Sequence, residues 1–273
     1  MKPIKRVAII HDMCSVGKAA MTNILPVFSI MGIEPCPVPT MILSTHTGGF
    51  GKPVMMPLPS FVEEAAEHFS NNQITFDYIF IGYLGNVRVV REVLQFLKHF
   101  PKADVLFDPI MGDHGSFYMH FDDSYNQALW ALLPHSTLVT PNYPESCLIT
   151  GEPCLESSDQ KQIGRIAEKL MEKGCRSCVI TSVPLPGYPQ SIALCQGKNV
   201  QILSKSSTGR SYPGTGDLFA SVLFGKLMKG DELVNAAEEA HQFVCRCIQS
   251  GDQYGYPVKE GVLLEPNLKY LLP

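Results

Sequence analysis

Short, continuous apolar runs alternate with longer stretches of helical periodicity along the chain. Because the apolar residues within each run are consecutive and do not alternate with polar ones, the runs predict strands buried on both faces of a parallel sheet. These runs lie at residues 6–10, 78–82, 104–107, 137–140 and 178–181. The helical stretches lie at 17–32, 86–100, 122–133, 159–174, 217–229 and 231–249. The alternation predicts an α/β fold, an αβα sandwich of three layers in which helices cover both faces of a mostly parallel central sheet.

Two segments depart from this alternation. Residues 34–59 are extended and rich in proline, which predicts an edge strand and a small flap. Residues 191–203 have the pattern of an antiparallel hairpin that turns at 197–199. No internal repeat, low-complexity tract or linker divides the sequence, so we expect residues 1–273 to form one domain.

Composition narrows the range of partners. The 273-residue chain has a formal net charge of −4 and no cluster of Lys and Arg, so a nucleic-acid partner is not expected. No apolar run reaches the roughly 18 residues that a membrane span needs, and the first apolar run is too short for a signal peptide. We therefore expect a cytoplasmic protein that has no membrane partner and whose nine cysteines are mostly free thiols.

Polar side chains follow each of the five predicted strands. In an open parallel sheet, ligands bind beyond the carboxyl ends of the strands, so these side chains are candidates for one shared site. Carboxylates that converge on one edge repel each other unless a cation lies among them, and we therefore expect a cation there. The candidates are His11, Asp12, Tyr83, Asn86, Asp108, Asp113, Thr140, Asn142, Glu145, Thr181 and Ser182.

Two familiar phosphate-binding motifs can be excluded, because the sequence departs from each of them. The segment DMCSVGKAA (12–20) contains Gly-Lys after the first strand, but Asp12 stands where a P-loop has its first glycine and Ala19 where it has Ser or Thr. The segment GTGDLF (214–219) is not a dinucleotide fingerprint, because it lies far from the first strand and Phe219 replaces the third glycine.

The turn in SYPGTGDLFAS (211–221) is better suited to hold an anion. Gly214 and Gly216 allow main-chain N–H groups to point at a ligand, and the positive end of the following helix dipole is directed at the same place. Asp217 then has two interpretations. It is either a general base that accepts the proton of an attacking hydroxyl group or a simple helix N-cap.

Several of these segments resemble one family. PGTGDLFAS (213–221) resembles the C-terminal signature of ribokinase-type small-molecule kinases, whereas DPIMGDHG (108–115) and TPNYPE (140–145) resemble segments of the vitamin-kinase branch. LSTHTGGFG (43–51) and GYLGN (82–86) resemble the flap and the GYLGS segment of pyridoxal kinases. Because the matches occur in family order over most of the chain, the chain is similar to pyridoxal/pyridoxamine kinases of the ribokinase-like superfamily.

The resemblance implies a phosphoryl transfer from ATP, with Mg²⁺ and, as a further candidate, a monovalent cation such as K⁺. Asp217 would activate a 5′-hydroxymethyl group, and Gly214, Thr215 and Gly216 would stabilise the transferring phosphoryl group. Asp113 and Glu145 would hold magnesium. The ATP-binding residues that it implies are Asp108, Asn142, Glu145, Thr181, Ser182, His241 and Val244, with the loop 204–212 beside the adenine.

For the vitamer ring, the resemblance implies Tyr83 at one face, with His46, Thr47 and Gly48 of the flap closing over it. Asp12 would bond polar ring substituents, and it stands where many family members have serine, which leads us to expect a preference for an amine over an aldehyde. A flap histidine can also be merely solvated, so that alternative for His46 stays open.

Other functions remain open at this stage. Hydroxymethylpyrimidine kinases share the fold and the signature and act on a related heteroaromatic alcohol. A vitamin- or nucleotide-sensing protein on the same scaffold would be expected to lack the base or the metal carboxylates, whereas Asp217, Asp113 and Glu145 are all present. The resemblance also favours a homodimer, in which the 34–59 flap packs against a second subunit.

Overall fold

A nine-stranded sheet forms the centre of the protein. The computed structural model describes residues 4–113, 116–118, 121–197, 199–206 and 210–272. The strands are β1 Arg6–Val16, β2 Glu34–Thr45, β3 Met55–Pro57, β4 Tyr78–Ile81, β5 Asp104–Phe107, β6 Gly112–Asp113, β7 Ser116–Phe117, β8 Leu138–Val139, β9 Ser177–Leu185, β10 Tyr188–Gln196 and β11 Asn199–Leu203. The central sheet has the order β11-β10-β9-β8-β5-β4-β1-β2-β3, and β6 and β7 pair separately.

The strands from β2 to β9 in this order are parallel, and the outer strands are antiparallel. β1 pairs in parallel with β2 and β4, and the parallel pairing continues through β5 and β8 to β9. β10, β11 and β3 run antiparallel to their neighbours. The predictions of a mostly parallel sheet and of a hairpin near residues 191–203 are therefore confirmed.

Helices cover both faces of the sheet and divide the core into two parts. Helices α2 to α6 pack on one face with residues such as Phe96 and Ile163, and α1, α7 and α8 pack on the other with residues such as Phe28 and Leu223. The helices are α1 Met21–Ile30, α2 Phe61–Asn71, α3 Val87–His99, α4 Asp123–Trp130, α5 Tyr143–Thr150, α6 Gln160–Glu172, α7 Thr215–Lys229 and α8 Leu233–Gln253. This is the predicted three-layer αβα sandwich.

One boundary near the N-terminus was predicted wrongly. The first helix begins at Met21 and not at Gly17, because β1 continues to Val16 alongside β2. The edge strand predicted within residues 34–59 is present as the short β3, whereas β2 is paired on both sides.

Helices α2 and α5 were not predicted. In α5, six of the eight residues are buried, so the alternation of polar and apolar positions that marks an amphipathic helix is missing. All nine cysteines are free, as expected. Within the part of the chain that the structure describes, no helix is long and apolar enough to cross a membrane.

Candidate active site

The carboxyl ends of the central strands are aligned by main-chain hydrogen bonds between neighbouring strands. Gly82 N–H donates to the Ile10 carbonyl (2.9 Å), Asp108 N–H to Ile81 (2.8 Å) and Thr140 N–H to Phe107 (3.0 Å). β4 ends at Ile81 whereas β1 continues, so His11 and Asp12 lie beyond the end of their neighbour and not at the end of their own strand. The polar residues that follow the strands are thereby brought to one edge of the sheet.

Asp217 lies in the first turn of α7, but it does not cap that helix. The N-cap position is Gly214, and the Asp217 carboxylate turns away from the helix to accept the Ala20 N–H at 2.6 Å. Its other oxygen lies 3.2 Å from Nε2 of His11. The residue is only 8% exposed. The N-cap interpretation is therefore wrong, because the carboxylate contacts β1 and the start of α1.

The glycine turn before Asp217 is held by close contacts. Gly214 has φ +77°, and a Cβ there would lie 2.0 Å from the Lys18 carbonyl oxygen. The Asn23 amide donates to the carbonyls of Lys18 (2.8 Å) and Gly214 (2.9 Å). The Thr215 hydroxyl donates to the Tyr212 carbonyl at 3.1 Å. Only glycine satisfies both the backbone angle and the contact at position 214.

Gly216 differs from Gly214 in its backbone conformation. It is part of α7 and is not among the glycines with positive φ. If a Cβ were added at Gly216, it would meet no described atom within 4 Å. The glycine therefore leaves an open approach to the first turn of α7, where N–H groups lack intrahelical partners.

Two buried carboxyl groups, Asp108 and Glu145, interact electrostatically with each other, and Asp108 also interacts with Asp217. Burial, and then repulsion from Asp217, raise the pKa of Asp108 to about 7. Burial and repulsion from Asp108 raise the pKa of Glu145 well above its usual value. A cation near these groups would relieve the repulsion.

The donor set suits magnesium. Among the described residues, no three His, Cys, Asp or Glu side chains come together as metal ligands. Mg²⁺, however, is commonly bound through one or two carboxylates together with water and phosphate oxygens. Two buried carboxyl groups that repel each other fit such a site. The Asp113 main chain belongs to β6, whereas its side chain and residues 114–115 lie outside the described part of the structure.

Glu145 also has a structural role that sequence reasoning missed. It forms a capping box with Asn142 at the start of α5, in which each side chain accepts the other residue's main-chain N–H at 2.9 and 2.7 Å. Its second oxygen accepts the Met111 N–H at 3.1 Å. Asn-x-x-Glu is a variant of the capping-box pattern and could have been recognised from the sequence. Glu145 thus joins the loop after β5 to the start of α5.

The flap is packed against the C-terminal part of the chain. His46 is 7% exposed, and its Nε2 lies 2.8 Å from the Lys259 carbonyl oxygen in a 3₁₀ turn, Val258–Glu260. Gly48 N–H donates to its Nδ1 at 3.0 Å. A Cβ at Gly17 would lie 2.3 Å from the His46 ring, so the Gly-Lys pair that suggested a P-loop instead makes room for the flap. The solvated alternative for His46 is therefore wrong.

Tyr83 lies beside Asp12 at this edge of the sheet. Burial, and to a smaller extent the Asp12 carboxylate, raise the pKa of Tyr83 to about 12. Its ring centroid is 5.5 Å from that of Phe121. Thr47 and Gly48 are exposed on the flap.

The residues predicted to bind ATP are less closely connected to Asp217. The main chains of Asn142, which follows β8, and Thr181, within β9, form an isolated bridge, and Ser182 has φ +56°. His241 lies on α8, where its Nε2 is 3.4 Å from Cys245 Sγ. The described contacts of His241 do not reach Asp217, and residues 207–209 of the predicted adenine loop lie outside the described residues.

Sequence reasoning missed three groups that hold the site together. His11 was noted after the first strand but received no role, and the Ala20 N–H and the Asn23 amide were not considered. The positions of Ala20 and Asn23, about 200 residues from the glycine turn, left no local signal that they contact it.

The protein is a three-layer αβα sandwich, and at the carboxyl edge of its sheet a glycine turn leads into a helix whose first turn carries Asp217. This combination is typical of the ribokinase-like class of small-molecule kinases. The phosphomethylpyrimidine kinase family matches residues 15–261. The chain belongs to this family.

The relatives include both pyrimidine and vitamin B6 kinases. A protein from Bacteroides thetaiotaomicron, described as a phosphomethylpyrimidine kinase, is 32% identical with a TM-score of 0.94, covering 100% of this chain and 96% of its own. Another crystal form of it was solved with pyridoxal. Pyridoxal kinase from Lactobacillus plantarum is 27% identical, with a TM-score of 0.91 and coverage of 98% and 96%. Hydroxymethylpyrimidine/phosphomethylpyrimidine kinase from Haemophilus influenzae is 24% identical, covering 91% and 92%.

Proposed function

We propose that this protein transfers the γ-phosphoryl group of ATP to the 5′-hydroxymethyl group of pyridoxal, pyridoxamine or pyridoxine. The observation that carries the proposal is the position of the flap. His46 of the flap packs over Gly17, and a Cβ added at Gly48 would lie 3.6 Å from Pro213, beside the glycine turn. The flap therefore lies beside the glycine turn that precedes Asp217. Support also comes from the Bacteroides relative, one crystal form of which contains pyridoxal.

In this mechanism the hydroxymethyl oxygen attacks the γ-phosphorus while the bond to the ADP oxygen breaks. Asp217 accepts the hydroxyl proton, and the N–H groups of Gly214, Thr215 and Gly216 stabilise the charge on the transferring group. The positive end of the α7 dipole acts in the same direction. The hydrogen bond from Ala20 fixes the carboxylate so that a lone pair remains for the hydroxyl group.

Asp113 and Glu145 would hold Mg²⁺, and Asp108 and Asn142 would line the adjoining phosphate region. When bound, the metal ion neutralises charge on the ATP phosphates. Thr181 and Ser182 would donate to those phosphates, and His241 and Val244 would lie near the adenine. We further propose a cytoplasmic, single-domain enzyme that forms a homodimer.

Glu145→Gln is expected to raise the magnesium concentration needed for half-maximal activity. Glutamine can keep the capping-box acceptor for Asn142 but removes the negative charge, so the metal ion loses a charged ligand. Its amide nitrogen would then face the Met111 N–H, so the loop after β5 is expected to be less firmly held. Initial rates measured across a magnesium titration test this. The thermal midpoint serves as the control for folding, and an unchanged magnesium requirement would refute the metal assignment.

Asp12→Ser is expected to lower the ratio of kcat/KM for pyridoxamine to that for pyridoxal. A carboxylate attracts the ammonium group of pyridoxamine, whereas a hydroxyl group does not. The two vitamers are compared under identical conditions in the wild type and the variant. If the ratio does not change, Asp12 does not select the amine.

Gly49→Ala is expected to raise KM for the vitamer more than Gly51→Ala does. Both glycines have positive φ, +89° and +79°, so the backbone strain is matched. Only at Gly49 would the new Cβ approach another residue, lying 2.9 Å from Lys259 Cβ, which should open the flap. Equal KM values for the two variants would show that the contact with the C-terminal turn does not support flap closure.

A second candidate is the phosphorylation of hydroxymethylpyrimidine, favoured by the family match and by the Haemophilus relative. The same base, glycine turn and metal carboxylates would serve this reaction. A non-catalytic sensor is disfavoured because the proposed base, Asp217, and the proposed metal carboxylates, Asp113 and Glu145, are all present.

The proposal is tested by incubating the protein with ATP, Mg²⁺ and pyridoxal, and identifying the product by mass spectrometry. Formation of pyridoxal 5′-phosphate and ADP in equal amounts is expected. ATP consumption without a phosphorylated vitamer would contradict the proposal.

A further inference from the structure

His11 lies between the two carboxylates that the proposed reaction uses. Its ring is 1% exposed. Nδ1 lies 2.7 Å from Oδ1 of Asp12, and Nε2 lies 3.2 Å from Oδ1 of Asp217. A single side chain thus joins the residue proposed to face the vitamer ring to the proposed base, two residues that are 205 positions apart in the sequence (217 − 12).

The geometry favours a ring that carries protons on both nitrogens. The Asp12 N–H also lies 2.9 Å from Nδ1 and could donate to a neutral ring. In that case, however, the lone pair of Nδ1 would face the Asp12 carboxylate at 2.7 Å, which is repulsive. An imidazolium donates to a carboxylate from each nitrogen. Burial alone would lower the pKa of His11, but hydrogen bonds with Asp12 and Asp217 raise it to about 10.

The fold makes space for this ring at the end of the neighbouring strand. A Cβ at Gly82 would lie 2.0 Å from Cδ2 of His11. The Phe80 ring, 6.4 Å away between centroids, lies on the same side. Gly82, the first glycine of GYLGN, is therefore needed, because any side chain at this position would collide with the imidazole ring.

We propose that His11 is a positioning residue that, as an imidazolium, binds Asp12 and Asp217 together and balances their charge. The proposal rests on the proposed function and deepens it. With His11 charged, the three groups carry a net charge of −1 and not −2, which lowers the repulsion of an incoming phosphoryl group. The two carboxylates are also fixed relative to each other, so the vitamer ring and its hydroxymethyl group are oriented by one connected unit.

A double-mutant cycle tests whether His11 acts through Asp217. His11→Gln is expected to reduce kcat by roughly 10–100-fold, the range found for outer-shell partners, with KM for ATP unchanged. In an Asp217→Asn background, His11→Gln should cause little further loss, because residues that act as one unit are not additive. His99→Gln, at an exposed histidine, is the control and should be unchanged. Independent, multiplicative losses in the double mutant would overturn the proposal.

A second measurement needs neither a variant nor catalysis. Nitrogen-15 spectra of the ligand-free wild type should show one of the eight histidines still doubly protonated at pH 8. The charged groups that face it are Asp12, Asp217 and Asp108. Because its pKa is raised, the stability that His11 contributes should be complete below pH 6.5 and lost as the pH rises through about 10.

The two measurements separate this proposal from the proposed function. If no vitamer is phosphorylated but one imidazole stays charged at pH 8, the proposed function fails while the pairing of His11 stands. If all eight imidazoles titrate near their ordinary pKa, the pairing is refuted even in an active kinase.

Discussion

Asp217→Asn is expected to reduce kcat by roughly 10²–10⁴-fold, the contribution that a general base usually makes. Asparagine has almost the same shape and can still accept the Ala20 N–H, so the start of α1 should remain in place. It cannot accept the proton of the hydroxymethyl group. ATP binding should remain close to that of the wild type, because the glycine turn and the carboxyl groups near β5 and β8 are unchanged.

The measurement is a steady-state comparison of kcat, together with ATP binding by calorimetry. Asp123→Asn is a matched control, since Asp123 is also in the first turn of a helix but is exposed on α4. It should have wild-type activity. Near-normal turnover of Asp217→Asn would show that another group takes the proton.

Gly214→Ala is expected to lower both stability and activity. The left-handed conformation at φ +77° strains any residue with a Cβ, at about 1–2 kcal/mol. The new Cβ would also lie 2.0 Å from the Lys18 carbonyl oxygen, which is main chain and cannot move aside by rotation. The turn must therefore shift, and the N–H groups at the start of α7 would shift with it. Thermal unfolding and kcat are measured on the same preparation.

Gly216→Ala separates the effect on activity from the effect on stability. Gly216 lies within α7, and its added Cβ meets no described atom within 4 Å. Stability should be equal to that of the wild type or higher by about 0.5–1 kcal/mol, because alanine is the better helix former. Activity should nevertheless fall if a phosphoryl group approaches the open side of the turn. Full activity in a stable Gly216→Ala protein would show that this space is not used.

The sheet and most helices could be predicted because their apolar patterns are local. Runs such as 104–107 and 178–181 contain consecutive apolar residues, and both belong to strands of the central sheet. The extension of β1 to Val16 could not be predicted, because it depends on pairing with β2 and includes polar residues such as Ser15. Helix α5 was missed because it is buried on nearly all sides and has no clear polar face.

For the candidate site, the residue types were predictable but the contacts among them were not. The glycine turn and Asp217 stand together in the sequence, and their combination is specific. The contacts of Asp217 with Ala20 and His11 join segments that are far apart in the chain, so no spacing rule could reveal them. The contact between His46 and the Val258–Glu260 turn also joins segments that are far apart in the chain, so it could not be predicted either.

These contacts also change what Asp12 is expected to do. In the sequence it is an isolated carboxylate that could attract an amine. In the structure it is paired with His11: one carboxylate oxygen lies 2.7 Å from Nδ1 of the buried imidazole ring. Asp12→Ser should therefore lower kcat as well as change the preference between vitamers, because the variant also removes one acceptor of the imidazole ring.

We propose above that the site binds a vitamin B6 ring in preference to a pyrimidine. The most direct measurement is a competition assay in which pyridoxal and hydroxymethylpyrimidine are present together with limiting ATP, and both phosphorylated products are quantified by mass spectrometry. Pyridoxal 5′-phosphate is expected to be the main product, and the ratio of products is expected to give a higher kcat/KM for pyridoxal. Predominant formation of hydroxymethylpyrimidine phosphate would contradict it.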